Sequence, residues 1–246
     1  MTTILFNIKD KYWNTIHPGM SARIKHRLIL VRHGESESNI ELMTSGKTTE
    51  FAIDHVLTLI GKQQSQDIAN FLNSKGIYNI DRVELSPLAR ACQTGYPSLY
   101  LMPLLLSTNI HVNFELREIY SKESYWCKIP DEKTFVTYTK TNFDDEHKCI
   151  HTDTDWLRET ETDFDNRIIS LMNTWKKIGS IDNRIQTLVF THSQVISRLL
   201  SSDKSFHIAN GGISILDIDE NNHIHVHVAN YTKHLQTPTG MHTCIF

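Results

Sequence analysis

Little in this sequence points to a membrane, a disulfide scaffold or a nucleic acid. The 246 residues hold four cysteines, Cys92, Cys127, Cys149 and Cys244, with no CxxC pair among them. That spacing suggests neither a zinc ribbon nor a disulfide framework, and free thiols in a reducing compartment are the simplest reading. No apolar run approaches the roughly 20 residues of a membrane span. Residues 1–10 lack a long apolar stretch behind a basic start, so they do not read as a secretory signal, and a cytoplasmic location is expected. Cys244 stands one position off a prenylation box. An excess of one charge is missing too. The formal net charge is −3 with histidine neutral, which gives no general attraction to nucleic acid or to an anionic membrane. Any phosphate would have to be held by local basic residues. No internal repeat and no low-complexity segment is present.

What is there fits one large α/β domain. Hydrophobic content of 39% and charged content of 22% are ordinary for a globular chain, and the length suits a single core spanning 1–246. Residues 1–26 read as an N-terminal extension. The apolar run Leu28-Ile29-Leu30-Val31 stops abruptly at Arg32-His33-Gly34-Glu35, so 27–32 is expected to be a buried strand opening into a loop. A helix is expected within 35–43. Thr58 is a good N-cap for a helix over 59–74, which Gly76 would end. Residues 82–85 read as a short strand, and Pro87 as the first position of a helix carrying Arg90 in its first turn. Residues 110–114 read as a third strand, followed by Leu116-Arg117-Glu118. A helical face runs over 164–178, and residues 187–191 form another buried strand ending at His192-Ser193. Residues 213–218 and 223–228 alternate around a turn and suggest a hairpin. Strands alternating with helices predict a three-layer sandwich, a mainly parallel sheet with helices on both faces. Residues 119–158 are rich in Lys, Asp, Thr and aromatics, and their periodicity is poor. They read as a lid-like insertion over a site.

The strand ends deliver a coherent chemical set: Arg32 and His33, then Arg90, then Glu118, then His192. Ligands of open α/β sheets gather at the carboxyl ends of strands. Two arginine forks suit a phosphate group. Neutral imidazole can attack phosphorus, a protonated second histidine can bind the charge that builds during transfer, and a carboxyl group can protonate the leaving oxygen. Glu115 and Glu123 are alternative acids. Asn39 is either a phosphate contact or a plain helix residue. His223, His225 and His227 share one strand face, which invites a metal reading. No acid joins that row at ligand spacing in the sequence, so an exposed face of an edge hairpin is the simpler reading.

These residues carry a resemblance. Arg32-His33-Gly34-Glu35-Ser36-Glu37-Ser38-Asn39 and Ser86-Pro87-Leu88-Ala89-Arg90-Ala91-Cys92-Gln93-Thr94 resemble the histidine phosphatase superfamily in its phosphoglycerate-mutase-like branch. So do Leu57-Thr58 with Gly61 and Gln64, then Leu116-Arg117-Glu118. Further along, the same holds for Glu159-Thr160 with Asp163, Phe164 and Arg167, for Thr191-His192-Ser193, for 210–214, and for Asn230 through Leu235. The resemblance covers about 27–118 and 159–235 in order. It implies a phosphoglycerate-mutase-like fold and a phosphohistidine intermediate on His33. Arg32, Arg90 and His192 would complete the phosphate pocket, Glu118 would be the proton donor, and Asn39 would add a phosphate contact. It implies no cofactor and no metal, because the arginines and a protonated His192 do the charge work. The partner is a phosphorylated small molecule, with a phosphoprotein as the other possibility.

Three departures bear on activity. Ser193 follows the second histidine where glycine is common, and could supply an extra hydroxyl. Ile119-Tyr120-Ser121-Lys122 replaces the mutases' Tyr-Gly continuation. Residues 119–158 contain no adjacent arginine pair of the kind with which mutases hold the substrate carboxylate. Only Lys122, Lys128, Lys133, Lys140, Lys148 and Arg158 are basic there. A phosphatase is therefore expected over a mutase. An inactive module that docks phosphorylated ligands is the reading from another class.

Overall fold

A computed structural model of the chain describes residues 23–45, 55–75, 77, 79–102, 105, 109–119, 159–180, 182–201 and 206–236. Most of the expected extension, nearly all of the expected lid and the expected cap Gly76 lie outside the described residues. In chain order the elements are β1 (Ile24–Arg32), α1 (Glu37–Ser45), α2 (Leu59–Ser74), β2 (Arg82–Leu85), α3 (Ala89–Leu101), β3 (Asn109–Val112), a 3-10 turn (Phe114–Leu116), α4 (Glu161–Lys176), β4 (Ile185–Thr191), α5 (Ser193–Leu200), β5 (Ile213–Asp219) and β6 (Ile224–Tyr231).

The sheet runs β3-β2-β4-β1-β5-β6. The pairs β1–β4, β2–β4 and β2–β3 are parallel, and β5 runs antiparallel to both neighbours. Alternation along β1 divides the core in two. Ile29 and Val31 face one side, with Ile68 and Leu72 of α2 and Cys92 and Leu99 of α3. Leu28 and Leu30 face the other, with Phe164, Leu171 and Trp175 of α4 and Val195 and Leu199 of α5. Helices thus cover both faces, as the alternating elements predict. Because β1 is apolar on both faces it lies inside the sheet, and its carboxyl end opens between the two helical layers.

Several boundaries shift by a few residues: β1 begins at Ile24, inside the expected extension, and β3 ends at Val112, before the expected 114. Helix α3 begins at Ala89 with Leu88 as N-cap, so Pro87 precedes the first turn instead of opening it. The helix also continues through Pro97, which lacks the N–H that would bond the Gln93 carbonyl. Ser65 of α2 supplies the missing donor: its hydroxyl reaches the carbonyls of Gln93 at 3.1 Å and Thr94 at 2.9 Å. Cys92 is a buried free thiol whose Sγ lies 3.2 Å from the Ser86 carbonyl.

Candidate active site

The backbone at the end of β1 is clipped from both sides. His33 N donates to Thr191 O of β4 at 2.9 Å, while Gly211 N donates back to His33 O at 3.1 Å and Arg32 N to Gly212 O at 3.0 Å. The following loop is held by α2 and α3. Gly34 N donates to Thr94 Oγ1 at 3.0 Å, Glu35 N to Gln64 Oε1 at 2.8 Å, and Thr58 Oγ1 to Glu35 Oε1 at 2.8 Å. A Cβ on Gly34 would stand 2.5 Å from Gly61 O, and one on Gly61 would stand 1.9 Å from Glu35 O. The close approach that needs these glycines is therefore between two backbones, the loop and the start of α2. Room for a phosphate is not the constraint the structure puts on Gly34.

His33 is buried and its tautomer is set. Nδ1 lies 2.7 Å from Gly34 O, and a carbonyl can only accept, so Nδ1 carries the proton. Nε2 then bears the lone pair, and Arg90 Nε stands 3.3 Å from it. Burial first, then the charges of Arg90 and Arg32, push the imidazole well below its ordinary value and keep it neutral. Arg90 comes from the first turn of α3 and is buried. Arg32 is also buried, and its Nη1 donates to Ile208 O.

His192 caps the start of α5, with its ring centroid 5.1 Å from that of His33. Its Nε2 lies 2.7 Å from Ser86 Oγ, and its buried Nδ1 has no hydrogen-bond partner among the described residues. Burial, then Arg90, His33, Arg32 and Arg167, push it well below its ordinary value. The sequence reading placed a protonated imidazole here. Burial and the surrounding cations favour the neutral ring instead. Glu118 completes the set. Burial raises its carboxyl above the usual range, against the opposing pull of Arg90, Arg32, the Ile119 N–H and Arg167.

These side chains therefore come together at one sheet edge. Residues 28–231 match the profile of the histidine phosphatase superfamily, branch 1. The chain belongs to that superfamily. Solved structures share its fold. The phosphoserine phosphatase of Entamoeba histolytica, in complex with 3-phosphoglyceric acid, is 24% identical over 85% of this chain and 99% of its own, with a TM-score of 0.54. The phosphoglycerate mutase of Bacillus anthracis is 15% identical over 87% and 96%, with a TM-score of 0.57. A mycobacterial glucosyl-3-phosphoglycerate phosphatase in complex with VO3 is 17% identical over 84% and 99%, with a TM-score of 0.53. The chain thus has the phosphoglycerate-mutase-like α/β fold, which these phosphatases and this mutase share.

Around these groups the superfamily fold places residues to which the sequence alone assigned no role. Arg167 of α4 grips Glu159 bidentately through the Nε–Nη2 edge and donates from Nη1 to Glu115 O at 2.6 Å and Arg117 O at 3.0 Å. Thr191 Oγ1 donates to Leu116 O at 2.7 Å. Together they hold the turn that presents Glu118. Arg167 and Ser86 both sit inside the matched motifs, which was the available signal, but their partners are far off in sequence. Asn39 spends its carbonyl oxygen on Ser36 N, Ser36 Oγ and Asn210 Nδ2, all within 3.0 Å. Only its amide nitrogen is left to donate to a ligand. Glu123 lies outside the described residues.

The histidine row needs a correction. Acids do join it, from the neighbouring strand β5. His225 Nε2 lies 3.0 Å and His223 Nδ1 3.3 Å from Asp219 Oδ2, and His227 Nε2 lies 3.0 Å from Asp217 Oδ2. Pairing across the hairpin brings them together, which spacing along β6 cannot reveal. Among the described residues no group of three or more such side chains is arranged to hold a metal ion. No helix among them is long and apolar enough to cross a membrane.

Proposed function

We propose that this chain is a phosphomonoesterase that works through a phosphohistidine on His33. The observation that carries the reading is the tautomer of His33, whose Nδ1 proton is engaged by Gly34 O while Nε2 faces Arg90. The phosphate dianion binds between Arg32 and Arg90 in bidentate geometry. Nε2 gives its electron pair to phosphorus as the P–O bond to the leaving group breaks. The departing oxygen takes the proton of Glu118, whose raised pKa suits an acid in this role. The positive charge gained by the His33 ring is eased by the Nδ1–H bond to Gly34 O. In the second half a water loses its proton to the Glu118 carboxylate and attacks phosphorus, releasing phosphate and restoring His33. His192 meets the equatorial oxygens, and the phosphate dianion favours the protonated ring that burial and the neighbouring cations otherwise disfavour.

Hydrolysis is favoured over a mutase reaction because residues 119–158 lack an adjacent arginine pair. The substrate is a phosphorylated small molecule. The test is a phosphatase screen over a panel of phosphorylated metabolites, with acid-labile phosphoenzyme trapped in parallel, on the parent chain and on His33→Ala. Turnover and phosphoenzyme that both vanish in His33→Ala are expected. Efficient interconversion of the two phosphoglycerates would replace the phosphatase reading with the mutase. No turnover and no phosphoenzyme in the parent chain would leave only the docking module.

A further inference from the structure

Ser193 is the residue at which this chain departs from the glycine usual after the second histidine, and its hydroxyl is engaged. Ser193 Oγ accepts from Ile208 N at 3.0 Å, and the carbonyl of the same Ile208 accepts from Arg32 Nη1. One peptide residue therefore lies between Ser193 and the Arg32 guanidinium. The rest of the strap over 206–212 is fastened as well. Ser197 Oγ donates to Phe206 O, Asn230 Oδ1 accepts from Ala209 N at 2.8 Å, and Gly211 N donates to His33 O at 3.1 Å. Phe206 and Gly211 are held toward the ends of the strap, and Ile208 and Ala209 at its middle. The Ser193 bond fixes the N–H of the residue whose carbonyl orients Arg32, while Asn230 fixes the peptide plane of that carbonyl through Ala209 N.

Building on the phosphate-pocket reading above, we propose that Ser193 is a positioning residue: through Ile208 it holds the Arg32 guanidinium in the orientation that receives the substrate phosphate. A glycine at 193 has no side chain to accept from Ile208 N. Ile208 then keeps only the Asn230 anchor on its carbonyl side, and the acceptor of Arg32 is held less tightly. A planar guanidinium binds phosphate bidentately only when its plane is fixed, so the loss falls on phosphate affinity and not on the attack by His33.

The test compares the full chain with Ser193→Gly, Ser193→Ala and Ser193→Thr. Inorganic phosphate is the probe, read as a product-inhibition constant against p-nitrophenyl phosphate, alongside KM, kcat and the thermal midpoint. Ser193→Gly and Ser193→Ala should weaken phosphate and raise KM by about 3- to 10-fold, the scale of one net hydrogen bond. The kcat should stay within about 2-fold of the parent, and Ser193→Thr, which keeps the hydroxyl, should stay near it. Combined with Arg32→Lys, which removes the fork, Ser193→Ala should add little further loss, since its effect runs through Arg32. A purely structural serine would lower the thermal midpoint and leave the phosphate constant unchanged. That result overturns the proposal, as does full additivity with Arg32→Lys. A parent chain that hydrolyses nothing and binds no phosphate in a direct titration overturns the pocket reading itself, and this inference with it.

Discussion

His33 and Glu118 are displaced in opposite directions by the same burial. Burial disfavours charge, so the imidazole is pushed down and the carboxyl up. A neutral nucleophile and a protonated acid therefore coexist over a wider acidic range than two exposed groups would allow. His33 loses its lone pair only below its lowered pKa, and Glu118 loses its proton only above its raised one. For an alkyl phosphate, kcat/KM should hold through mildly acidic pH and fall as pH rises past the raised Glu118 value. Glu118→Gln should remove that basic limb and slow alkyl phosphates by about 100- to 1000-fold, within the usual worth of a general acid. p-Nitrophenyl phosphate, whose leaving group needs little protonation, should lose less than about 10-fold. Equal losses on both substrates would exclude Glu118 as the acid.

At the scale of elements, the site depends on how α2, α3 and α4 are joined to the loops after β1 and β3. The approach of α2 to the Gly34–Glu35 backbone leaves no room for a methyl group on Gly61. Gly61→Ala should destabilise the fold by about 1–3 kcal/mol and lower activity more than that loss explains, because the displaced segment carries His33. Ser65→Ala uncovers the Gln93 carbonyl that Pro97 cannot serve. It should cost about 1–3 kcal/mol in urea denaturation while leaving kcat near the parent value. Arg167→Met takes from the buried Glu159 carboxylate its two-pronged arginine partner and removes a donor to two carbonyls of the Glu118 turn. A loss of about 3–5 kcal/mol is expected, as when one partner of a buried ion pair is removed.

For the whole molecule, acid stability rests on buried groups far from the site. Burial raises Asp217, but hydrogen bonds and charge from Arg27 and His227 outweigh it and hold the carboxyl at about 2, against an ordinary 3.8. A depressed carboxylate stabilises the fold above its unfolded pKa, and that contribution is lost as pH falls through the folded one. Asp217 should therefore account for about 2 kcal/mol lost between roughly pH 4 and pH 2. Asp217→Asn should flatten that window in a pH series of urea unfolding. His26 acts higher. It is buried, and burial lowers its pKa; its Nδ1 donates to Trp175 O at 3.0 Å. Because the unfolded chain takes up that proton first, stability should begin to fall below about pH 6.5.

Periodicity was enough to find the helix over Leu59–Ser74 and the strand over Arg82–Leu85, because local caps and alternation are written in adjacent residues. Motif order was enough to name His33, Arg32, Arg90, His192 and Glu118 as one group. The order in which the strands lie, with β4 between β1 and β2, is not a local property, and it is what brings Arg90 to His33. The tautomer of His33, the anchoring of the Glu118 turn by Arg167 and the pairing of the histidine row with β5 carboxylates all depend on residues distant in the chain. The sequence by itself determined which groups are available and at which strand ends they lie. Only the tertiary structure decided their protonation, because that depends on burial and on charges that folding brings near.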